Sequence, residues 1–282
     1  LQIRMAASVF QRGHIDECRT VARDAVTKWL EQLDVDHSPL LIHKDFENQA
    51  MLDLLKLGLT AEAVQLFERK IWANPNHCGL LETGNEIYKA CLDFDAALQI
   101  CEVLTGLQPE NLQYRRELAA NYEKKGDWAS ALQQWGWVCA AQTATRDDRL
   151  RHAQCASWGG HPQVTISECK LLIEMDPDSG LAHALLGEAL VKLEHLDEGM
   201  KHLGLATLLT PEEPRSWIKL AEAHQHNGDL GRAVETLGAG VTATAGDGRI
   251  HLCFGKLLDQ LDRQTEALEH FERAYQALPG EV

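Results

Sequence analysis

Histidines and cysteines are the side chains of this sequence that could do chemistry beyond packing. The chain has 13 histidines and 8 cysteines. His152 and Cys155 are three residues apart and would share one face of a helix, whereas His224 and His226 are two apart and would face different directions. Because a zinc site takes three or four donor side chains, these pairs are too small. We expect packed or surface histidines and no bound metal.

Sequence motifs of catalysis and phosphate binding are absent. The chain contains no G-x-x-x-x-G-K, H-E-x-x-H or G-x-S-x-G. The glycines of Gly238-Ala239-Gly240 lack the preceding strand that a phosphate loop needs, and the paired carboxylates Glu212-Glu213 lie between two prolines, where negative charge favours the start of a helix. We therefore expect no catalytic residues, no cofactor and no enzyme activity.

The cysteines are dispersed along the chain and form no C-x-x-C pair. Large chains with dispersed cysteines are more often reduced than disulfide-bonded, so the pattern favours a reduced, cytoplasmic setting. The eight are Cys18, Cys78, Cys91, Cys101, Cys139, Cys155, Cys169 and Cys253.

Composition narrows the class of partner. With 42 acidic and 27 basic residues the net charge is −15, which opposes nucleic-acid binding because that affinity comes from clustered basic side chains. No apolar run is long enough for membrane insertion. The first residues, Leu1-Gln2-Ile3-Arg4, include no initiator methionine and no signal peptide, which predicts a piece of a longer chain.

The elements that position these side chains repeat every 34 residues. Five prolines lie 34 or 68 residues apart and define a grid of seven points with a spacing of 34 residues. The prolines are Pro75, Pro109, Pro177, Pro211 and Pro279. Twelve residues before each point of this grid the side chain is small or a threonine, as at Ala63, Ala97, Ala131, Thr165, Gly199, Ala233 and Ala267. Eight before each point it is apolar, as at Phe67, Cys101, Trp135, Cys169, Leu203, Leu237 and Phe271. Such a period indicates stacked helix pairs.

This pattern resembles the tetratricopeptide repeat, with its W-x-x-L-G-x-x-Y, its A-x-x-x-F and its closing proline. The resemblance implies an all-α, right-handed superhelical solenoid of antiparallel helix pairs. We expect residues 1–32 to form a partial N-terminal repeat with its turn at Gly13, and residues 33–43 a connector. Seven units would then form one continuous solenoid over residues 44–281: 44–77, 78–111, 112–145, 146–179, 180–213, 214–247 and 248–281.

The resemblance also implies a partner-binding groove lined by the first helix of each unit, and our hypothesis is that Arg116 and Trp158 lie near its centre. The lining would mix both charges with isolated apolar residues, which suits a peptide held by side-chain pockets and charge-assisted hydrogen bonds. The residues carried over are Leu52, Leu55, Lys56, Glu82, Glu86, Lys89, Arg116, Lys124, Leu150, Gln154, Trp158, Glu188, Lys192, Arg215, Ile218, Glu222, His226 and Lys256.

Three functional hypotheses remain open. The first is a non-catalytic scaffold that binds a peptide segment or a partner protein in the groove, and the negative charge favours a basic or amphipathic partner. The second is the recognition arm of a larger enzyme, a transferase or a protease, whose catalytic domain lies outside this sequence. The third is self-association through the end repeats.

Overall fold

The computed structural model describes Ile3, residues 15–35 and residues 44–278. In these residues there are fifteen α-helices and no β-strand, which confirms the all-α fold class. The helices are α1 (Ile15–Val35), α2 (Lys44–Lys56), α3 (Thr60–Ala73), α4 (Cys78–Ala90), α5 (Phe94–Leu107), α6 (Leu112–Lys125), α7 (Trp128–Ala140), α8 (Arg146–Trp158), α9 (Pro162–Met175), α10 (Gly180–Lys192), α11 (Leu196–Leu209), α12 (Pro214–His226), α13 (Leu230–Ala243), α14 (Gly248–Gln260) and α15 (Gln264–Ala277).

Helix α1 continues to Val35, three residues into the connector expected at residues 33–43. Residues 36–43 lie outside the described residues. Residues 33–35 contain neither glycine nor proline, so nothing in the chain stops the helix there. Gly13 and Pro279 lie outside the described residues.

The turns between paired helices contain a left-handed residue, and in some of them the next residue caps the following helix. Gly126, Gly160 and Gly228 have φ between 76° and 80°, a conformation that glycine adopts without steric cost. The side chains of Asp127 and Asp229 then accept hydrogen bonds from backbone N–H groups in the first turn of the next helix, which satisfies donors that the helix leaves unpaired.

The small residues of the repeat allow the paired helices to approach closely. A Cβ atom added at Gly187 of α10 would lie 2.8 Å from the carbonyl oxygen of Gly199 in α11 and 2.7 Å from Cγ of Leu203. These distances are shorter than van der Waals contact, so only glycine fits at Gly187. Gly199 is at the small position of the 34-residue grid, and with Gly187 opposite it sets the spacing of α10 and α11.

The contacts within the chain divide it into two compact units, Leu1–Val138 and Cys139–Val282. In the first unit a continuous apolar core includes the fully buried Leu54, Leu66 and Ile87. The second unit has one cluster around Cys169 and Leu186 and another that includes Leu237, Ile250 and Leu257. Within each of these clusters, apolar residues of neighbouring helices pack together, as stacked helix pairs require.

The fourth residue of a first helix ties its unit to the preceding one through the proline carbonyl. Trp217 Nε1 donates to the carbonyl oxygen of Pro211 at 2.9 Å, and Arg115 Nε donates to that of Pro109 at 3.0 Å. The Nε2 atom of His183 lies 3.0 Å from the carbonyl oxygen of Pro177 and must carry the proton there, because a carbonyl only accepts. Tryptophan, arginine and histidine side chains thus make the same type of contact at equivalent positions.

Candidate functional site

The residues carried over from the repeat family all lie on the first helices α2, α4, α6, α8, α10, α12 and α14. We call the surface that carries these eighteen residues the first-helix face, and describe it separately for each compact unit. Its side chains range from buried Glu188 to exposed Lys256. Several of them are engaged with the first helix of a neighbouring repeat.

In the first compact unit, hydrogen bonds connect α4 to α6 across this face. Tyr114 Oη donates to Glu82 Oε1 at 2.6 Å, and Lys89 Nζ lies 3.0 Å from Glu117 Oε2 and 2.7 Å from Glu86 Oε1. Burial and the hydrogen bond to Glu82 raise the pKa of Tyr114, so the phenol stays a donor at neutral pH. The contacts fix both helices in register.

In the second compact unit a buried ion pair connects α10 to α12. Arg215 donates from Nε and Nη2 to the two carboxylate oxygens of Glu188, each at 2.7 Å. Glu188 is only 7% exposed, so this bidentate pair holds a carboxylate that would otherwise be costly to bury. Its geometry orients Arg215 and leaves little of Glu188 for a partner.

Two further residues of the first-helix face in this unit make weaker contacts. Lys192 Nζ donates to the carbonyl oxygen of Ser157 at 3.4 Å, which connects α10 to α8. His226 Nε2 lies 3.0 Å from Glu194 Oε2, and both groups are exposed. Exposed pairs of this kind contribute little to stability, so the His226 imidazole can exchange this contact for another.

Several of the face residues reach solvent. Trp158, at the end of α8, has 44% of its surface exposed. Lys56, Glu86, Lys124, Glu222 and Lys256 are exposed as well, and Leu52, Leu55, Leu150, Gln154 and Ile218 are half-buried, as is Arg116. The accessible part of the face thus offers both charges and a few apolar side chains.

Two histidine pairs in the structure were not predicted from the sequence. The Nδ1 atoms of His183 and His202 are 2.9 Å apart, and those of His251 and His270 are 2.8 Å apart. The second pair repeats the first at a distance of 68 residues. Burial lowers the pKa of His202, His251 and His270. The 34-residue grid could have revealed the pairs, because each joins equivalent positions of a first and a second helix.

A further group brings together three residues of the second compact unit, each from a different helix. Cys139 at the end of α7, His152 of α8 and Glu168 of α9 bring one ligand atom each within 4.8 Å of the others. We call this group the Cys-His-Glu cluster. The sequence suggests His152 and Cys155 as a pair, because those two are close along the chain. No motif spacing marks the three residues that meet in space.

No membrane-crossing helix stands out in the described part of the chain, where none is both long and apolar enough. All eight cysteines lie within the described residues, and none is joined to another.

Comparison with family models and with curated proteins gives no match for this chain. Solved structures do match. A tetratricopeptide repeat protein from Parabacteroides merdae has a TM-score of 0.63 and 16% identity, over 84% of this chain and 94% of that one. The Cut9–Hcn1 hetero-tetramer of the APC/C has a TM-score of 0.53 and 15% identity, over 100% of this chain and 53% of that one.

A third structure has the same helical architecture. MamA from Desulfovibrio magneticus RS-1 matches with a TM-score of 0.51 and 15% identity, over 61% of this chain and 97% of that one. At such identities the similarity concerns the fold, and here it agrees with the 34-residue period and with the helix pairs. The chain therefore has the tetratricopeptide repeat fold.

Proposed function

We propose that this protein is a non-catalytic interaction scaffold that binds a peptide segment of a partner protein on its first-helix face. The observation that carries the proposal is the combination of fixed and accessible groups on that face. Contacts such as Glu188 with Arg215 hold neighbouring first helices rigidly, while exposed side chains such as Lys256 and Trp158 remain at the surface. A rigid surface loses little entropy when it binds.

Trp158 is the strongest anchor on this face. Its large ring combines apolar area with a hydrogen-bond donor, a combination common among residues that dominate binding energy. Glu188 is expected to orient Arg215 and not to contact the partner, because the carboxylate is buried. Arg215, whose side chain is 36% exposed, can still offer its remaining N–H groups.

The charge of the chain supports a basic or amphipathic partner segment. A net charge of −15 accelerates association with positively charged segments, and salt screens this effect. The Cut9–Hcn1 structure is that of a hetero-tetramer, so a chain of this fold assembles with other proteins there. Binding by this protein should accordingly slow with increasing ionic strength.

The test uses a display library of random peptides selected on the native protein. The affinity of the selected peptides is then measured for Trp158→Ala and for Trp137→Ala. Trp137 is a matched control because it is also exposed, at 58%, but lies on the second helix α7. Loss of a binding anchor of about 2 kcal/mol lowers the affinity about thirtyfold, so we expect that loss for Trp158→Ala and no change for Trp137→Ala.

Two results would contradict the proposal. One is equal affinity of both variants with intact helical content, and the other is a loss confined to Trp137→Ala. The first would move binding away from Trp158, and the second would move it to the second helices.

A further inference from the structure

We propose that the Cys-His-Glu cluster binds a divalent transition-metal ion of the zinc class. The proposal does not depend on peptide binding, since Cys139 and Glu168 lie outside the first helices. Thiolate sulfur, imidazole nitrogen and carboxylate oxygen are the three ligand types that proteins offer to zinc, and three protein ligands with a water in the fourth position form a common zinc site.

Burial separates this cluster from chance groups of surface acids and histidines. Cys139 is 8% exposed and His152 is 9% exposed, and the Glu168 side chain is 12% exposed. Burying polar and ionisable groups costs free energy unless the environment compensates them. A bound cation would be coordinated by all three side chains at once.

The orientation of His152 points to a ligand. Its Nδ1 atom lies 3.3 Å from Glu168 Oε1, yet it is a buried atom with no hydrogen-bond partner among the described residues. The short distance therefore reflects proximity without hydrogen-bond geometry. If the neutral imidazole carries its proton on Nε2, the lone pair on Nδ1 beside the carboxylate would suit a metal ion better than a misaligned N–H group does.

The separations fit a single ion. In a tetrahedral site with bonds of about 2.0–2.3 Å, ligand atoms lie about 3.3–3.8 Å apart. The ligand atoms of the cluster already lie within 4.8 Å of one another. The longest separation therefore has to shorten by about 1–1.5 Å for the three atoms to share one ion.

Arg149 would act as a second layer around the site. Its Nη1 atom lies 3.2 Å from Glu168 Oε2, which leaves Oε1 on the side of His152. Hydrogen bonds to the far oxygen of a ligating carboxylate fix its orientation. The positive charge of Arg149 opposes an incoming cation, but Glu168 and the Cys139 thiolate supply two negative charges. On binding, Cys139 Sγ loses its proton to solvent as the bond to the metal forms.

The test is titration of the whole protein, stripped of metal with a chelator, with Co²⁺ and then with Zn²⁺. Co²⁺ bound to a thiolate gives a charge-transfer absorption band that histidine pairs alone cannot produce. We expect one equivalent of Co²⁺ to give this band, Zn²⁺ to displace it, and Zn²⁺ to raise the midpoint of thermal unfolding because it binds the folded state.

Variants assign the site. Cys139→Ala should abolish the band, and the control Cys169→Ala should keep it, because Cys169 is a buried thiol outside the cluster. His152→Asn and Glu168→Gln should retain the band but weaken Co²⁺ affinity about tenfold or more. If Cys139→Ala does not fold, the Co²⁺ affinities of His152→Asn and Glu168→Gln test the proposal.

Three results would overturn the proposal. They are absence of the band in the native protein, a band of equal strength in Cys139→Ala, and affinity unchanged in both His152→Asn and Glu168→Gln. The first would mean that the three side chains pack without an ion, and the other two would assign the metal to different residues.

Discussion

At the scale of single residues, the turns between paired helices place one residue with positive φ at every 34-residue step. Glycine occupies four of these positions, Gly58, Gly126, Gly160 and Gly228, but Leu92, Glu194 and Asp262 occupy the others with φ of 57–63°. A left-handed backbone costs a residue with a side chain about 1–2 kcal/mol. Among the described residues, backbone strain is therefore stored at three of these seven turns.

Replacing one of these residues should stabilise the fold. Leu92 is 73% exposed, so Leu92→Gly loses little packing and relieves the strain. Because glycine also gains freedom in the unfolded chain, we expect a net gain of about 0.5–1 kcal/mol. Chemical denaturation measures it as a higher midpoint at unchanged slope.

The reverse substitution provides the control. A Cβ at Gly126 would meet nothing within 4 Å, so Gly126→Ala tests the backbone term alone and should lower the midpoint. If neither variant moves the midpoint, the turns do not carry the strain.

At the scale of helices, the close approach of α10 and α11 makes a sharper prediction. Gly187→Ala would force a Cβ against backbone and side-chain atoms of α11, and overpacking of this kind costs about 1–3 kcal/mol. Gly204→Ala, within α11, meets nothing within 4 Å and should stabilise by up to about 1 kcal/mol, because alanine favours helix over glycine. Thermal unfolding of the two variants should shift in opposite directions.

A shift of the same sign for both variants would contradict the helix spacing described here. It would mean that helix propensity, and not contact between α10 and α11, decides the effect at Gly187.

The fold could be predicted from the sequence, but some contacts between helices could not. The fold was predictable because prolines, small residues and apolar residues repeat at fixed distances, and each has a local physical role. The ion pair of Glu188 with Arg215 was not predictable, because the repeat pattern constrains the small and apolar positions and leaves the polar side chains between them free. For the same reason the meeting of Cys139, His152 and Glu168 required the structure.

At the scale of the whole molecule, buried histidines make stability depend on pH. Burial lowers the pKa of His202, His224, His251 and His270 in the folded protein. As pH falls below about 6.5, the unfolded chain therefore binds protons that the folded chain does not. The free energy of unfolding therefore decreases as the pH is lowered through this window.

We expect the midpoint of thermal unfolding to fall between about pH 7 and about pH 5.5, above the range where carboxylates titrate. His270→Phe, which removes the imidazole next to Phe254, should reduce this dependence. His195→Phe is the control, because His195 is exposed and should leave the dependence unchanged. A midpoint that stays constant over this window would contradict the prediction.

Other expectations concern the whole chain and stay predictions. Among them are the division into seven units of one continuous solenoid, the cytoplasmic setting, self-association through the end repeats and a role as the arm of a larger enzyme. The repeat pattern carries information about how each helix packs on its neighbours. Partner and compartment depend on exposed side chains and on sequence context, which that packing does not constrain.

The shared contact to the proline carbonyl has a consequence for how such a gene can lose or duplicate repeats. Removing residues 180–213 would join Ser179 to Pro214 and bring Trp217 to the same six-residue distance from Pro177 that it now has from Pro211. The indole could then replace the His183 imidazole as donor. A loss or a duplication of 34 residues, or of a multiple of 34, therefore preserves the junction, whereas a change of another length alters the distance between the proline and the donor.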